Sequence, residues 1–105
     1  AEPGEGLTAI VAESDARVSW LSKQLGSAAT VIRGGMSLPA EGVVLLPLRV
    51  AKGLEFDHVI VPDAQAEVYP DTPLARRRLY TALSRAMHRV TVLAQGPLTP
   101  MLAER

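Results

Sequence analysis

The chain has 105 residues, which is enough for one domain but too few for two. Hydrophobic residues make up 48% of it, and 11 Lys and Arg balance 11 Asp and Glu, so a disordered chain is excluded. Because cysteine is absent and no apolar run reaches roughly 18–20 residues, a disulfide scaffold, a thiolate metal site and a membrane span are excluded too. We expect a flexible tail over residues 1–6 and a single domain over residues 7–105.

The first predicted elements are a strand and a helix. A short, β-branched apolar run predicts a buried strand over residues 7–13. The helix that follows should be capped by Ser14 or Asp15 and should end at Gly26. Trp20 lies on this helix, and we expect it in the core rather than at an interface.

Three more apolar runs predict strands over residues 29–33, 43–48 and 58–62. Pro47 should end the second of these strands or place a bulge in it, because proline cannot donate a ladder hydrogen bond. Several of the predicted strands are apolar throughout, which is typical of strands that are covered on both faces of a sheet.

The second half of the chain continues the alternation of strands and helices. A loop with two prolines is predicted over residues 66–73, a helix over 74–87 and a strand over 89–94, with room for a short closing helix after Gly96. The whole pattern predicts an α/β fold with a mostly parallel sheet flanked by helices.

Charge is distributed unevenly along the chain. Residues 73–95 contain five arginines and no acid, whereas residues 55–71 contain five acids and no Lys or Arg. Such a basic segment binds phosphate in some proteins and is a solvated helix face in others, and the sequence leaves both open. Arg85 and Arg78 lie on one helical stripe beside the predicted buried face. Arg85 therefore needs an anionic partner, either a local carboxylate or a ligand phosphate.

Two segments carry a more specific signal. Residues 51–61 have the sequence AKGLEFDHVIV, and residues 79–93 have the sequence LYTALSRAMHRVTVL. They resemble motifs V and VI of the UvrD/Rep-type superfamily 1 DNA helicases, which are approximately AKGLEFD and YVALTRA, each followed by an apolar strand. The match covers residues 49–94, and the first fifty residues match only in the type of their elements.

The resemblance implies that the chain is the second RecA-like domain of such a motor, the 2A domain. In the family, ATP lies between this domain and an N-terminal RecA-like domain, which brings the phosphate-binding loop and the acid that binds Mg²⁺. No GxxxxGK[ST] pattern occurs in this chain, so the isolated chain is expected not to hydrolyse ATP. Residues 34–43 leave no room for the family's 2B insertion. This favours the compact form of the domain, which is similar to the C-terminal domains of helicase IV-like proteins.

The resemblance also assigns roles to individual residues. Arg85 matches the arginine finger of motif VI, Gly53 matches the motif V glycine near the γ-phosphate, and Glu55 matches the acid that binds the nucleotide ribose. A planar guanidinium suits the charge that develops on phosphoryl oxygens, glycine lets backbone N–H groups approach phosphate, and a carboxylate suits a ribose diol. Arg49 stands near the position that contacts single-stranded DNA in relatives, and Lys52 is a second candidate for that contact.

Each nucleotide-site residue also has a structural alternative. Gly53 could supply only a turn between two strands, and Glu55 could be an ordinary surface acid. Arg85 could form an ion pair with Asp63 or Glu67 instead of binding a phosphate.

The family resemblance implies ATP, Mg²⁺, an N-terminal RecA-like domain and single-stranded DNA as cofactors and partners, and a cytoplasmic location. One alternative function is a docking module on RNA polymerase or a repair protein. Another is a nucleic-acid-binding domain that uses the arginine-rich helix, although the balanced net charge and an aromatic content of 4% argue against it. His58 and His88 have no partner at metal-ligand spacing, so no metal site is predicted.

Overall fold

The computed structural model describes residues 6–32, 38–39, 41–62, 68 and 72–93. Within these ranges five strands form one sheet in the order β2-β3-β1-β4-β5, and every neighbouring pair is parallel. The prediction of a parallel α/β sheet flanked by helices is confirmed. The elements in chain order are β1 (Leu7–Ala12), α1 (Asp15–Leu25), β2 (Thr30–Val31), β3 (Gly42–Pro47), α2 (Leu48–Ala51), β4 (Phe56–Val61), α3 (Pro73–Leu83) and β5 (Ala86–Val92).

The central strand β1 contributes to a core on each face of the sheet, because successive side chains of a strand point to opposite faces. On one face, Leu7, Ala9 and Val11 belong to the larger core cluster with Leu79 and Ala82 of α3. The opposite face forms a smaller cluster against α1, made of Ala12, Val18 and Leu45. Burial on both faces explains why these strands carry few polar residues.

Helix α1 has the ends that its sequence predicts. The side chain of Ser14 accepts a hydrogen bond from the backbone N–H of Arg17, and Gly26 ends the helix with a φ of +59°. Trp20 is 43% exposed and the Arg17 guanidinium lies 4.6 Å from the centroid of its ring. The expectation that Trp20 lies in the core was therefore wrong, because Val18 is the residue of α1 that faces the sheet.

The strand β3 ends at Pro47, as predicted, and a single helical turn that the sequence did not predict follows it. This turn is α2, which is closed by a 3.3 Å hydrogen bond from the Lys52 N–H to the Leu48 carbonyl. Four residues are too few to produce a helical hydrophobic period, so no pattern could have indicated α2.

Helix α3 begins at Pro73, where the Thr72 hydroxyl caps it by accepting from the Ala75 N–H. The predicted helix over 74–87 was too long, because α3 ends at Leu83 and β5 begins already at Ala86. Arg85 consequently lies in the turn between α3 and β5 and not on a helical stripe.

Some predictions concern parts of the chain outside the described residues: most of the tail over 1–6, most of the loop over 66–73, and the closing helix after Gly96. Among the helices that the structure describes, none is long and apolar enough to cross a membrane. Within the same residues, no three His, Asp or Glu side chains are grouped as a metal site would require.

Candidate functional site

Arg85 is held against the beginning of β4 by its backbone and its side chain. Its N–H donates to the Ala82 carbonyl at 3.2 Å, and its own carbonyl accepts from the Phe56 N–H at 2.8 Å. The Nη1 atom donates to the Leu54 carbonyl at 3.4 Å, and Nη2 donates to Ser84 Oγ at 3.3 Å. The structure therefore brings Arg85, from the segment that resembles motif VI, into contact with residues 52–55, the loop of the segment that resembles motif V (the motif V loop).

One donor of this guanidinium has no partner. Arg85 Nε is buried and makes no hydrogen bond within the described part of the chain. A buried N–H of a permanently charged group is costly to leave unsatisfied. The two acids proposed as structural partners, Asp63 and Glu67, lie outside the described residues. An anionic oxygen placed beside Arg85 would satisfy the donor, which is the chemistry expected of a nucleotide phosphate.

Gly53 forms the turn that leads into β4. Its φ is +81°, a conformation that favours glycine, and the Leu54 N–H closes the turn on the Ala51 carbonyl at 3.0 Å. A Cβ atom added at Gly53 would meet no atom of the described residues within 4 Å. The proposed structural role as a turn is thus real, and the space beside the turn is open to a ligand.

Glu55 is exposed and precedes Phe56, whose side chain is 1% exposed and anchors the loop in the core. Within the described ranges, the Glu55 carboxylate makes no ion pair or hydrogen bond. Its oxygens are available to accept hydrogen bonds from hydroxyl groups of a ligand. Gly53, Glu55 and Arg85 thus lie together around the amino ends of β4 and β5.

Arg49 and Lys52 lie elsewhere, in a cleft of about 330 Å³. This cleft is at the carboxyl ends of β1 and β3, the opposite edge of the sheet from Arg85. Carboxyl ends of parallel strands are frequent ligand sites. The cleft is lined by Glu13, Ser14, Asp15, Pro47, Leu48, Arg49, Lys52 and Arg78.

Both arginines of this cleft are paired with acids. Arg49 Nε and Nη2 donate to the two carboxylate oxygens of Asp15, each at 2.9 Å. The hydrogen bonds and the charge of Asp15 raise the pKa of Arg49. Arg78 Nη1 donates to Glu13 Oε2 at 3.5 Å, while Lys52 is exposed. A nucleic-acid phosphate that reached Arg49 would have to compete with Asp15.

Asp57, in the segment that resembles motif V, has a role that the sequence analysis missed. Its Oδ2 accepts a 2.7 Å hydrogen bond from the Leu7 N–H, and its Oδ1 lies 3.6 Å from His88 Nε2. Gly6 is so close that a Cβ atom there would lie 2.7 Å from Asp57 Cγ. Asp57 therefore ties the beginning of β1 to β4, and its place inside the motif was the one signal that could have indicated this.

The other histidine also has a structural partner. His58 Nε2 lies 2.8 Å from Thr91 Oγ1, which joins β4 to β5 on the face opposite α3. Burial, and then the charge of Arg89, lower the pKa of His58.

A known protein family and a solved structure are similar to this chain. The family model described as the UvrD-like helicase C-terminal domain matches residues 42–93. Among solved structures, the C-terminal domain of a possible DNA helicase from Lactobacillus plantarum WCFS1 is 43% identical, with a TM-score of 0.80. The alignment covers 91% of this chain and 60% of that one. A search of curated proteins gives no match. The resemblance to the UvrD-like helicases is confirmed, and the chain belongs to the UvrD-like helicase C-terminal domain family.

Proposed function

We propose that this chain is the C-terminal RecA-like domain of an ATP-dependent DNA helicase or translocase. It would contribute Arg85, Gly53 and Glu55 to an ATP site that an N-terminal RecA-like domain completes, and it would act in the cytoplasm. The observation that carries the proposal is the position of Arg85. Its side chain lies on the motif V loop, and its buried Nε has no partner in the described part of the chain.

The three residues have distinct tasks in this proposal. Arg85 stabilises the negative charge that develops on phosphoryl oxygens, an effect worth about 10³–10⁵ in rate in other phosphoryl-transfer enzymes. The Gly53 turn leaves room for a phosphate, and the Glu55 carboxylate accepts hydrogen bonds from the ribose hydroxyls. Mg²⁺ would neutralise phosphate charge, and we assign its ligands to the N-terminal domain.

The cleft at the other edge of the sheet is proposed to meet single-stranded DNA. Arg49 and Lys52 would bind its phosphates, with Arg49 exchanging the Asp15 carboxylate for a phosphate oxygen. The two proposed sites are joined by the segment 48–55, which contains α2 and the Gly53 turn.

The decisive experiment measures steady-state ATP hydrolysis in a protein that carries this chain together with its N-terminal RecA-like domain. Turnover is compared with and without single-stranded DNA. Arg85→Ala should lower kcat by at least about 10³-fold, since it removes the finger. Glu55→Gln should mainly raise KM, because the ribose contact contributes to binding and not to the reacting phosphate.

Arg89→Ala is the matched control. Arg89 is an exposed arginine on β5 outside the proposed site, so its removal should leave kcat unchanged. Thermal unfolding of each variant separates a catalytic effect from a loss of folded protein. Normal turnover of folded Arg85→Ala would exclude the finger role.

A docking module remains the second candidate, and one observation favours it. Val90 and Val92, which lie on the same face of β5, are 43% and 37% exposed. Exposed apolar side chains of this kind are typical of surfaces that bind another protein. Normal turnover of Arg85→Ala would move this candidate to first place.

A further inference from the structure

The outer face of α3 presents an aromatic ring and an arginine to solvent. Ala75, Leu79 and Ala82 form the buried side of the helix. Tyr80 lies on the opposite side and is 70% exposed, and Arg77 is exposed three residues before it. Residues three apart on a helix are neighbours on its surface, so the two side chains form one site. Tyr80 is therefore not a core residue.

A cavity of about 540 Å³ adjoins this ring at the beginning of α3. Among the described residues, it shares none with the cleft that contains Arg49 or with the contacts of Arg85. It is lined by Thr72, Pro73, Arg76, Arg77 and Tyr80.

The charge of this face selects an anionic occupant. Residues 72–93 contain five arginines and no Asp or Glu. Arg78 is engaged with Glu13, and Arg85 is engaged with the motif V loop. The Arg77 side chain has no acidic partner in the part of the chain that the structure describes.

The geometry points to a second contact site for single-stranded nucleic acid on this face, in which Arg77 binds a phosphate and Tyr80 stacks on a base. An acidic peptide could satisfy the arginine, but it would leave the exposed ring without a planar partner. Base stacking on aromatic rings beside a basic surface is the usual way in which proteins hold single strands. The site extends the proposed function to a second surface, and it does not depend on the ATP site.

The test uses the present chain and a short fluorescein-labelled oligodeoxythymidine, followed by anisotropy at low salt without nucleotide. Tyr80→Ala should weaken binding by about tenfold, a typical effect of losing one stacked base, and Tyr80→Phe should retain the affinity. Arg77→Ala should reduce the slope of log K against log salt by about 0.7. In the control Arg89→Ala, which removes another exposed arginine, Tyr80→Ala should still weaken binding by about tenfold.

An abasic oligomer of the same length separates stacking from charge. Tyr80→Ala should not weaken the binding of the abasic oligomer, because no base is present to stack. Equal losses on both oligomers would mean that only charge is recognised, as an acidic peptide would offer it, and would overturn the proposal. So would the absence of binding by the wild-type chain. Because no ATP is added, a failure here is distinct from a failure of the Arg85 experiment.

Discussion

Replacement of Gly6 by alanine tests how the start of β1 is attached to motif V. Gly6 has a φ of +81°, and a Cβ atom there would lie 2.7 Å from both Cγ and Oδ2 of Asp57. The same Oδ2 accepts the 2.7 Å hydrogen bond from the Leu7 N–H. An alanine would therefore strain the backbone and push the carboxylate away from its donor.

These two effects determine the expected loss of unfolding free energy in Gly6→Ala. Left-handed backbone strain costs about 1–2 kcal/mol in a residue with a Cβ atom. Loss of a hydrogen bond to a charged acceptor costs about 1.5–3 kcal/mol. Alanine also restricts the unfolded chain, which offsets about 0.4–1 kcal/mol. We expect Gly6→Ala to lower the free energy of unfolding by about 2–4 kcal/mol, measured by urea denaturation with circular dichroism.

Two control variants separate the collision with Asp57 from the backbone strain. Gly42 also has a positive φ, of +109°, but in the described part of the chain a Cβ atom there meets nothing within 4 Å, so Gly42→Ala should show only the strain. An Asp57→Ala background removes the contacts with Cγ and Oδ2 and leaves only a 3.0 Å approach to the Cβ atom at position 57. Gly6→Ala should then cost less than it does beside the native Asp57. If it costs as much as it does beside the native Asp57, the proposed collision is wrong.

Two further predictions concern charge. Arg49→Ala should lower the salt slope of oligodeoxythymidine binding by about 0.7, because Arg49 exchanges the Asp15 carboxylate for a phosphate oxygen; an unchanged slope would contradict a DNA contact by Arg49. His58 has a pKa below its ordinary value of about 6.5, so its unfolded form takes up a proton first as the pH falls. Stability should be full above about pH 6.5 and should decrease below it. Urea titrations across this range check this, and the decrease should vanish in His58→Gln and shrink in Arg89→Ala.

Apolar runs and helix signals in the sequence were sufficient to predict the sheet and the limits of α1. Ser14 and Gly26 are direct chemical signals of a helix start and end, and both act as such in the structure. The end of α3 was missed because Ser84 and Arg85 contain no helix breaker, and the helix stops where the Arg85 carbonyl binds the Phe56 N–H. A tertiary hydrogen bond of this kind leaves no trace in local sequence.

Only the part of the candidate site that lies within the two motif-like segments could be predicted. They indicated that Arg85 and Gly53 belong to one region, and the structure places both at the beginning of β4. The pairing of Arg49 with Asp15 joins residues 34 positions apart, on different elements. Such a contact depends on the order of strands in the sheet, which neither composition nor periodicity determines. The same holds for Asp57, whose partner Leu7 is 50 positions away.

The short crossover between β3 and β4 has a mechanical consequence. Residues 48–55 must return from the carboxyl end of one strand to the amino end of another, over strands of six residues that are about 20 Å long. The four residues of α2 advance about 6 Å, and the four residues after it would reach at most about 13 Å more if they were fully extended. The crossover therefore has almost no slack. We expect that a ligand cannot shift Arg49 at one end without also pulling on the Gly53 turn at the other.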